Sequence, residues 1–561
     1  MHFTKKHFTA LVLISKLVFA QNFTKTDSLK GSKTRFRDFW DVKKYEVTVE
    51  PDFQNKSLKG KNIITFEIEK NVKNPVFQID LMQPMKYKLI TADKKFSHRR
   101  EGDFIFIEST GNFKKGEKFI IEIEFSGKPK ISENAPWDSG WVFSQDSNGL
   151  PFIGVAQEAA GASLWLPIKD IWSDEPDNGL ILNILTPKNL VGIGNGRLIK
   201  TSETRDKKIW SWQVKNPINA YSIAPSVGDY VNFKDEFFGE KGKLDLDFWV
   251  LRENLEKAKK QFQQVQPMLA AMEFWFGPYP FYEDSYKLVE TPFLGMEHQS
   301  NVAYGNGYKN GYLGKDWSGT GVGNLWDFII VHESGHEWFA NSVTASDPAD
   351  MWIHEAFTCY SETLFIEKNF SKDDARKYIL GIRKNILNDR PIQGRFGVRN
   401  SGSSDMYWKG AAMLHTIRTA IDDDEKFRTI LRGISKKFHH KTVSGKEIEK
   451  YISENSGIDF SKVFDQYLRT TDIPVLEFFT KEGRLYYRYQ NVVQGFNLPL
   501  QLNENQWISP NENWQHIRII DGKSTRFNTE NLVEFRQVKE PVFLNLKAGH
   551  DCINSGKQIK Q

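Results

Sequence analysis

The sequence predicts a multidomain α+β protein: an N-terminal antiparallel β domain, a central α/β domain with a helical half, and a small C-terminal β-sandwich. Three observations predict it. The chain has 561 residues, more than one hydrophobic core organises. Its apolar residues recur first in steps of two, then at helical spacing, then in steps of two again. Turn residues punctuate both alternating stretches.

Residues 1–20 read as a secretory signal. Lys5 and Lys6 precede an apolar stretch from Ala10 to Phe19, interrupted by Lys16, and Val18-Phe19-Ala20 ends in the small residue that signal peptidase needs. The stretch is too short to span a bilayer, and nothing later is long and apolar enough to be transmembrane. Export to the periplasm or the exterior is expected.

Residues 21–238 form the expected N-terminal β domain. Tyr45, Val47 and Val49 alternate, as do Ile64, Phe66 and Ile68, with turns at Pro51-Asp52 and Gly111-Asn112. Residues 239–472 form the central domain. Leu255, Ala258, Phe262, Val265, Leu269 and Met272 recur at helical spacing, and Gly277-Pro278 ends that helix. Helical patterns run to about Leu468. Pro474 then opens a β region over 473–548, in which Leu485 and Tyr487 oppose Tyr486 and Arg488, followed by a loose polar tail over 549–561.

Composition narrows the function classes. Hydrophobic residues make up 39% and charged residues 26%, as in ordinary globular proteins. The net charge of +5 falls by three with the lysines of the signal, so nothing favours nucleic acid. Cys359 and Cys552 are too few for a disulfide framework or a thiolate zinc site. Cys359 sits in an apolar segment and reads as a small buried filler.

The chemistry concentrates in Val331-His332-Glu333-Ser334-Gly335-His336-Glu337. On a helix, His332 and His336 project from one face, one turn apart, and can grip one zinc ion. Glu333 beside them is placed to take a proton from water. Leu325, Phe328 and Ile329 supply an apolar face that buries this helix. A second helical run, from Met351 through Ile366, carries Glu355, with 18 residues between His336 and Glu355. The turn at Asp347-Pro348 lets it return, so Glu355 completes a His-His-Glu site. Three protein ligands leave one coordination position for water, the catalytic arrangement. Glu362, two turns on, either orients a ligand imidazole or is an exposed helix carboxylate. His298, His354 and His415 read as packing or rim residues.

This pattern resembles the aminopeptidase N family of gluzincin metallopeptidases, which includes the leukotriene hydrolases. Trp338, Asn341, Val343-Thr344, Trp352 and Tyr360-x-Glu362 extend the resemblance. Leu294-Gly295-Met296-Glu297-His298 is similar to the family's Gly-x-Met-Glu-Asn motif, and Tyr407-Trp408-Lys409-Gly410 to its Tyr-x-Lys-Gly motif. Trp165-Leu166-Pro167 with Lys169-Asp170, and Asn195-Gly196-Arg197-Leu198, carry it into the N-terminal region. The resemblance implies a thermolysin-like catalytic domain with one zinc ion, acting on peptides with a free N-terminus. It implies that Glu297 and Glu158 bind the α-amine, that Tyr407 stabilises the oxyanion, and that Gly295 and Met296 hold the substrate backbone. Leu294 and His298 depart from the motif and put the first specificity pocket in question. The lack of a long helical domain after the small β region suggests a more open site, or one closed by a partner subunit. Epoxide hydrolysis, endopeptidase action and metal-dependent binding without catalysis are the rival readings. Glu297 in its Met-Glu context argues against an endopeptidase, and Glu333 with Tyr407 against mere binding.

Overall fold

The structure is a computed structural model that describes residues 22–90, 96–503, 506–519 and 526–541. The expected signal segment, residues 542–548 of the expected sandwich, the 549–561 tail and Cys552 lie outside the described residues.

The N-terminal alternation forms a seven-stranded sheet. Its centre is the strand Trp40–Asp52 paired with Ser57–Ile68; Pro51 and Asp52, expected to form the turn, still pair with Leu58 and Ser57, and the chain turns at 53–56 instead. Val42, Tyr45, Val47 and Val49 point into the core and meet Ile64, Phe66 and Ile68 there. One pairing departs from the antiparallel expectation: Trp40–Asp52 runs parallel to Leu180–Pro187, with Tyr45 opposite Leu180. The two strands are far apart in sequence, and the intervening strands supply the long crossover that a parallel pairing requires.

The central region is built on a five-stranded mixed sheet. Its strands are β1 (Tyr230–Gly239), β2 (Gly242–Leu251), β3 (Tyr286–Glu290), β4 (Gly295–Met296) and β5 (Val302–Tyr304), in the order β1-β2-β3-β5-β4. β1 and β2 are one hairpin, so this sheet takes up residues on both sides of the expected 238/239 division. β4 is an edge strand, a placement that matters below.

The helices that carry the site pack beside this sheet. They are α1 (Val265–Phe276), α2 (Phe328–Gly335), α3 (Trp352–Asn369), α4 (Lys372–Ile382) and α5 (Trp408–Ile421). The helical pattern expected from Leu255 to Phe276 is interrupted by a 3-10 turn at Phe262–Gln264, so α1 begins only at Val265. Every residue of α2 is buried. Asp327 caps it by accepting from the backbone N–H of Ile329 and Ile330, a contact of the kind worth about 0.5–2 kcal/mol. Leu325, expected on the buried face, lies before the cap and is 49% exposed. The Asp327 cap starts the helix after it, so its side chain belongs to the surface rather than to the helix face.

The C-terminal alternation forms a four-stranded sheet in the order Gln515–Arg518, Arg484–Gln490, Val475–Lys481, Glu534–Gln537, with a two-stranded hairpin beside it. It shares its core with the helices. Tyr467 donates to the Leu532 carbonyl at 2.6 Å, and the Leu532 N–H donates to Thr416 at 2.8 Å. Tyr486, expected to face away from Leu485, is nonetheless buried, because its ring stacks on Phe479 at 4.7 Å. Among the described residues, no helix is long and apolar enough to cross a membrane.

Candidate active site

His332 lies in the last turn of α2, and His336 follows at its C-cap, still helical at φ −64°. Glu355 lies in the first turn of α3, where the helix dipole favours a carboxylate. The return between them runs through the strand Val343–Ala345 and a 3-10 turn at Pro348–Asp350, capped by Asp347. Gly335 allows the two helices to meet: a Cβ there would stand 2.8 Å from Ser361 Oγ of α3.

The three side chains converge. Their ligand atoms lie within 4.8 Å of one another, and Glu355 Oε2 stands 3.6 Å from His332 Nε2 and 3.5 Å from His336 Nε2. Both imidazoles are oriented from behind. His332 Nδ1–H donates to Glu362 Oε1 at 2.7 Å, and the other Glu362 oxygen accepts from Tyr378 of α4 at 2.6 Å. His336 Nδ1–H donates to the Phe339 carbonyl at 3.0 Å. These bonds leave both Nε2 lone pairs aimed at Glu355. Glu355 Oε2 is buried and has no hydrogen-bond partner. Two imidazole Nε2 atoms converging on one carboxylate, whose buried Oε2 has no partner, fit a tetrahedral zinc ion with one open position.

Glu333, on the same turn as His332, faces strand β4. A Cβ on Gly295 would stand 2.8 Å from Glu333 Oε1 and 3.0 Å from Ile329, so glycine lets the edge strand lie against α2. Burial, with Glu355 and Glu362 nearby, pushes Glu333 up to about 7 against the pull of His332. A bound dication would draw such carboxylates back down.

Glu297 follows β4. Asn341 fixes its backbone by donating to the Glu297 carbonyl at 2.8 Å. Farther along, Asn195 donates to the Gln299 carbonyl at 2.8 Å, and the Gly196 N–H donates to Ser300 Oγ at 2.9 Å. Gly196 adopts φ +74°, and a Cβ there would strike the Gln213 carbonyl. Burial first, then Glu333 and Glu355, push Glu297 up to about 8, while its own backbone N–H and the Tyr221 hydroxyl act the other way. Burial and the neighbouring Glu297 likewise hold Glu158 well above the carboxylate range.

Tyr407 precedes α5, and its ring stacks on His332 at 6.0 Å. Burial and Glu355 raise its phenol, so it stays a proton donor. Gly410 brings α5 against α3: a Cβ there would stand 2.6 Å from Ala356 Cβ.

All of these residues line one cavity of about 450 Å³: Glu158, Gly295, Met296, Glu297, His332, Glu333, His336, Glu355 and Tyr407. Leu294 lines it too, whereas His298 is buried outside the lining. His415 packs elsewhere, 3.0 Å from the Tyr360 hydroxyl. Sequence reading did not single out Trp172, Tyr312, Trp317 or Arg399, which also line the wall. Arg399 sits on the segment between α4 and α5, at φ +52°, and reaches Asp170 at 3.2 Å and the Ala159 carbonyl at 3.1 Å.

Residues 263–467 match the model of the peptidase family M1 domain. This region is a peptidase family M1 domain. The resemblance drawn from His332-Glu333-x-x-His336 and Glu355 is borne out, and His332, His336 and Glu355 all fall within the M1 match. Over longer stretches the chain is similar to probable aminopeptidase 1 of Sulfurisphaera tokodaii, at 20% identity over 88% of this chain and 61% of that protein. It is also similar to leukotriene A-4 hydrolase of Xenopus laevis, at 22% identity over 74% of this chain and 68% of the relative. It spans 54% to 61% of the length of the archaeal aminopeptidases it matches. The M1 zinc metallopeptidase of Deinococcus radiodurans shares the fold, with TM-score 0.65 and 19% identity over 77% of this chain and 94% of that one. A two-domain M1 zinc metallopeptidase bound to L-tryptophan aligns equally well, at TM-score 0.65 over 79% of this chain.

Proposed function

We propose that the protein is a zinc-dependent aminopeptidase that removes the first residue of peptides with a free N-terminus. The observation that carries this reading is the placement of Glu297 and Glu158, which bring carboxylate oxygens without hydrogen-bond partners into the cavity that holds the metal triad. Among the described residues neither carboxylate forms an ion pair with a lysine or arginine, which suits both to an ammonium group. Their two raised pKa values mark sites that gain from a positive charge.

His332, His336 and Glu355 would hold the zinc ion. When bound, it supplies a Lewis acid that polarises the scissile carbonyl and acidifies water. Glu333 takes the proton from the attacking water and passes it to the leaving amine. Tyr407 donates a hydrogen bond from its hydroxyl to the developing oxyanion. Edge strand β4 offers the backbone of Gly295 and Met296 to an extended peptide, which would add to the sheet as a further strand. Glu297 and Glu158 anchor the amine and so fix the cut after the first residue. Export through residues 1–20 is part of the same proposal, and a mature protein beginning at Gln21 on N-terminal sequencing would support it.

The test offers one peptide with a free and an acetylated N-terminus, each with and without a zinc chelator. Release of the first residue from the free peptide alone, abolished by chelator, is expected. Internal cleavage of both forms would replace this reading with an endopeptidase. Glu297→Ala should impair the free peptide most.

A further inference from the structure

Two buried polar atoms, one on Glu158 of the cavity wall and one on His354 outside the lining, face each other without partners. Glu158 Oε1 and His354 Nδ1 both lack a hydrogen bond. They stand 3.9 Å apart. The other ring nitrogen, His354 Nε2, accepts the backbone N–H of Ala345 at 2.9 Å. A nitrogen that accepts this bond carries a lone pair, so the proton of the neutral ring sits on Nδ1, on the Glu158 side.

Both partners are held in place. His354 stacks on Trp172 with ring centroids 4.9 Å apart and planes 15° from parallel. The Glu158 backbone is pinned on both sides. Gln157 donates to the carbonyls of Tyr221 and Ile223 at 2.9 and 2.7 Å. Arg399 donates to the Ala159 carbonyl. The 3.9 Å gap exceeds a hydrogen bond. A small turn of the Glu158 side chain closes it, as polar contacts in active sites tighten when substrate enters.

We propose that His354 is a positioning residue whose Nδ1–H holds one oxygen of Glu158, so that the other faces the substrate ammonium. The proposal rests on the reading of Glu158 as an amine anchor. Glu158 feels repulsion from Glu297, Glu355 and Glu333, and a neutral donor behind it fixes its direction. A cation in that place would neutralise the anchor and weaken the grip on the amine.

Two substitutions separate this role from a structural one. In His354→Gln the side-chain oxygen can replace Nε2 and keep the Ala345 bond, but no donor remains toward Glu158. In His354→Asn the amide nitrogen replaces Nδ1 and keeps the donor, while the Ala345 bond is lost. Steady-state kinetics on a free-amine peptide, zinc content and thermal midpoint are measured for both, with Glu158→Ala alongside. The expected result is a KM raised about 10-fold in His354→Gln, in line with a lost hydrogen bond to a charged group. Its kcat and zinc content should stay near those of the parent. His354→Asn should keep the parent KM despite a lower thermal midpoint, and Glu158→Ala with His354→Gln should be no worse than Glu158→Ala alone. If Glu158→Ala raises KM and His354→Gln does not, the proposal falls. It also falls if Gln and Asn raise KM equally, or if His354→Gln sheds zinc. If Glu158→Ala itself leaves KM unchanged, the anchor reading fails, and the role of His354 fails with it.

Discussion

Glu362 makes two bonds that decide how the metal is held. One oxygen fixes the His332 ring and the other is occupied by Tyr378. Glu362→Gln should therefore weaken zinc about 10- to 100-fold, as read by competition with a chelator, while the protein stays folded. Glu333→Gln should do the opposite: zinc stays at one per chain and kcat falls about 100- to 10,000-fold. Tyr407→Phe should lower kcat about 100- to 1,000-fold with zinc retained. The metal triad was legible because its spacing is local: His332 and His336 lie one turn apart, and Glu355 returns on the next helix; Tyr407 was reached only through the family resemblance. Trp172 and Arg399 were not, since each reaches the cavity from a distant segment by tertiary packing alone. Glu362 was readable by position but not by role, because only the fold shows which imidazole it meets.

Elements meet here through residues that lack side chains. Gly410 brings α5 against Ala356 of α3, with no flexible group in the way to yield. Gly410→Ala should cost about 1–3 kcal/mol by overpacking, seen as a shift in chemical denaturation at unchanged slope. Because Tyr407 precedes α5 and Glu355 lies in α3, activity should fall with it. Periodicity predicted helices on both sides of the site, and the return of the zinc helix was readable from the Asp347-Pro348 turn, whereas the Asp327 cap that starts the helix after Leu325 was not read. The 3-10 interruption at Phe262–Gln264 was hidden, since its apolar residues keep near-helical spacing. The parallel pairing of Trp40–Asp52 with Leu180–Pro187 was equally hidden, because alternation is the same in parallel and antiparallel strands.

At the scale of the whole molecule, Lys287 joins the N-terminal region to the M1 domain. Its buried ammonium donates to the carbonyls of Gly196 and Ser300. Burial depresses it from 10.5 to about 7, against the pull of Asp247, Asp284 and Glu337. The unfolded chain thus binds a proton that the folded one releases between these two values. Stability from this group rises with pH across that window, by at most about 1.4 kcal/mol per pH unit. Lys287→Met should remove that slope. The gap in unfolding free energy between the parent and this variant should change steadily from pH 7 to 10, and a constant gap would refute the assignment.

The seat of Glu158 has a consequence for inheritance. Under the proposed function, bond breaking falls to residues between Glu333 and Tyr407, while one of the two proposed amine anchors, Glu158, lies well before Tyr230, where the central sheet begins. A recombination that exchanged the first 229 residues with those of a relative would look like a swap of scaffolds. It would also swap half of the reader of the substrate's end. Under that reading, cleavage chemistry and end-recognition sit on separate stretches of the chain and can be exchanged one without the other.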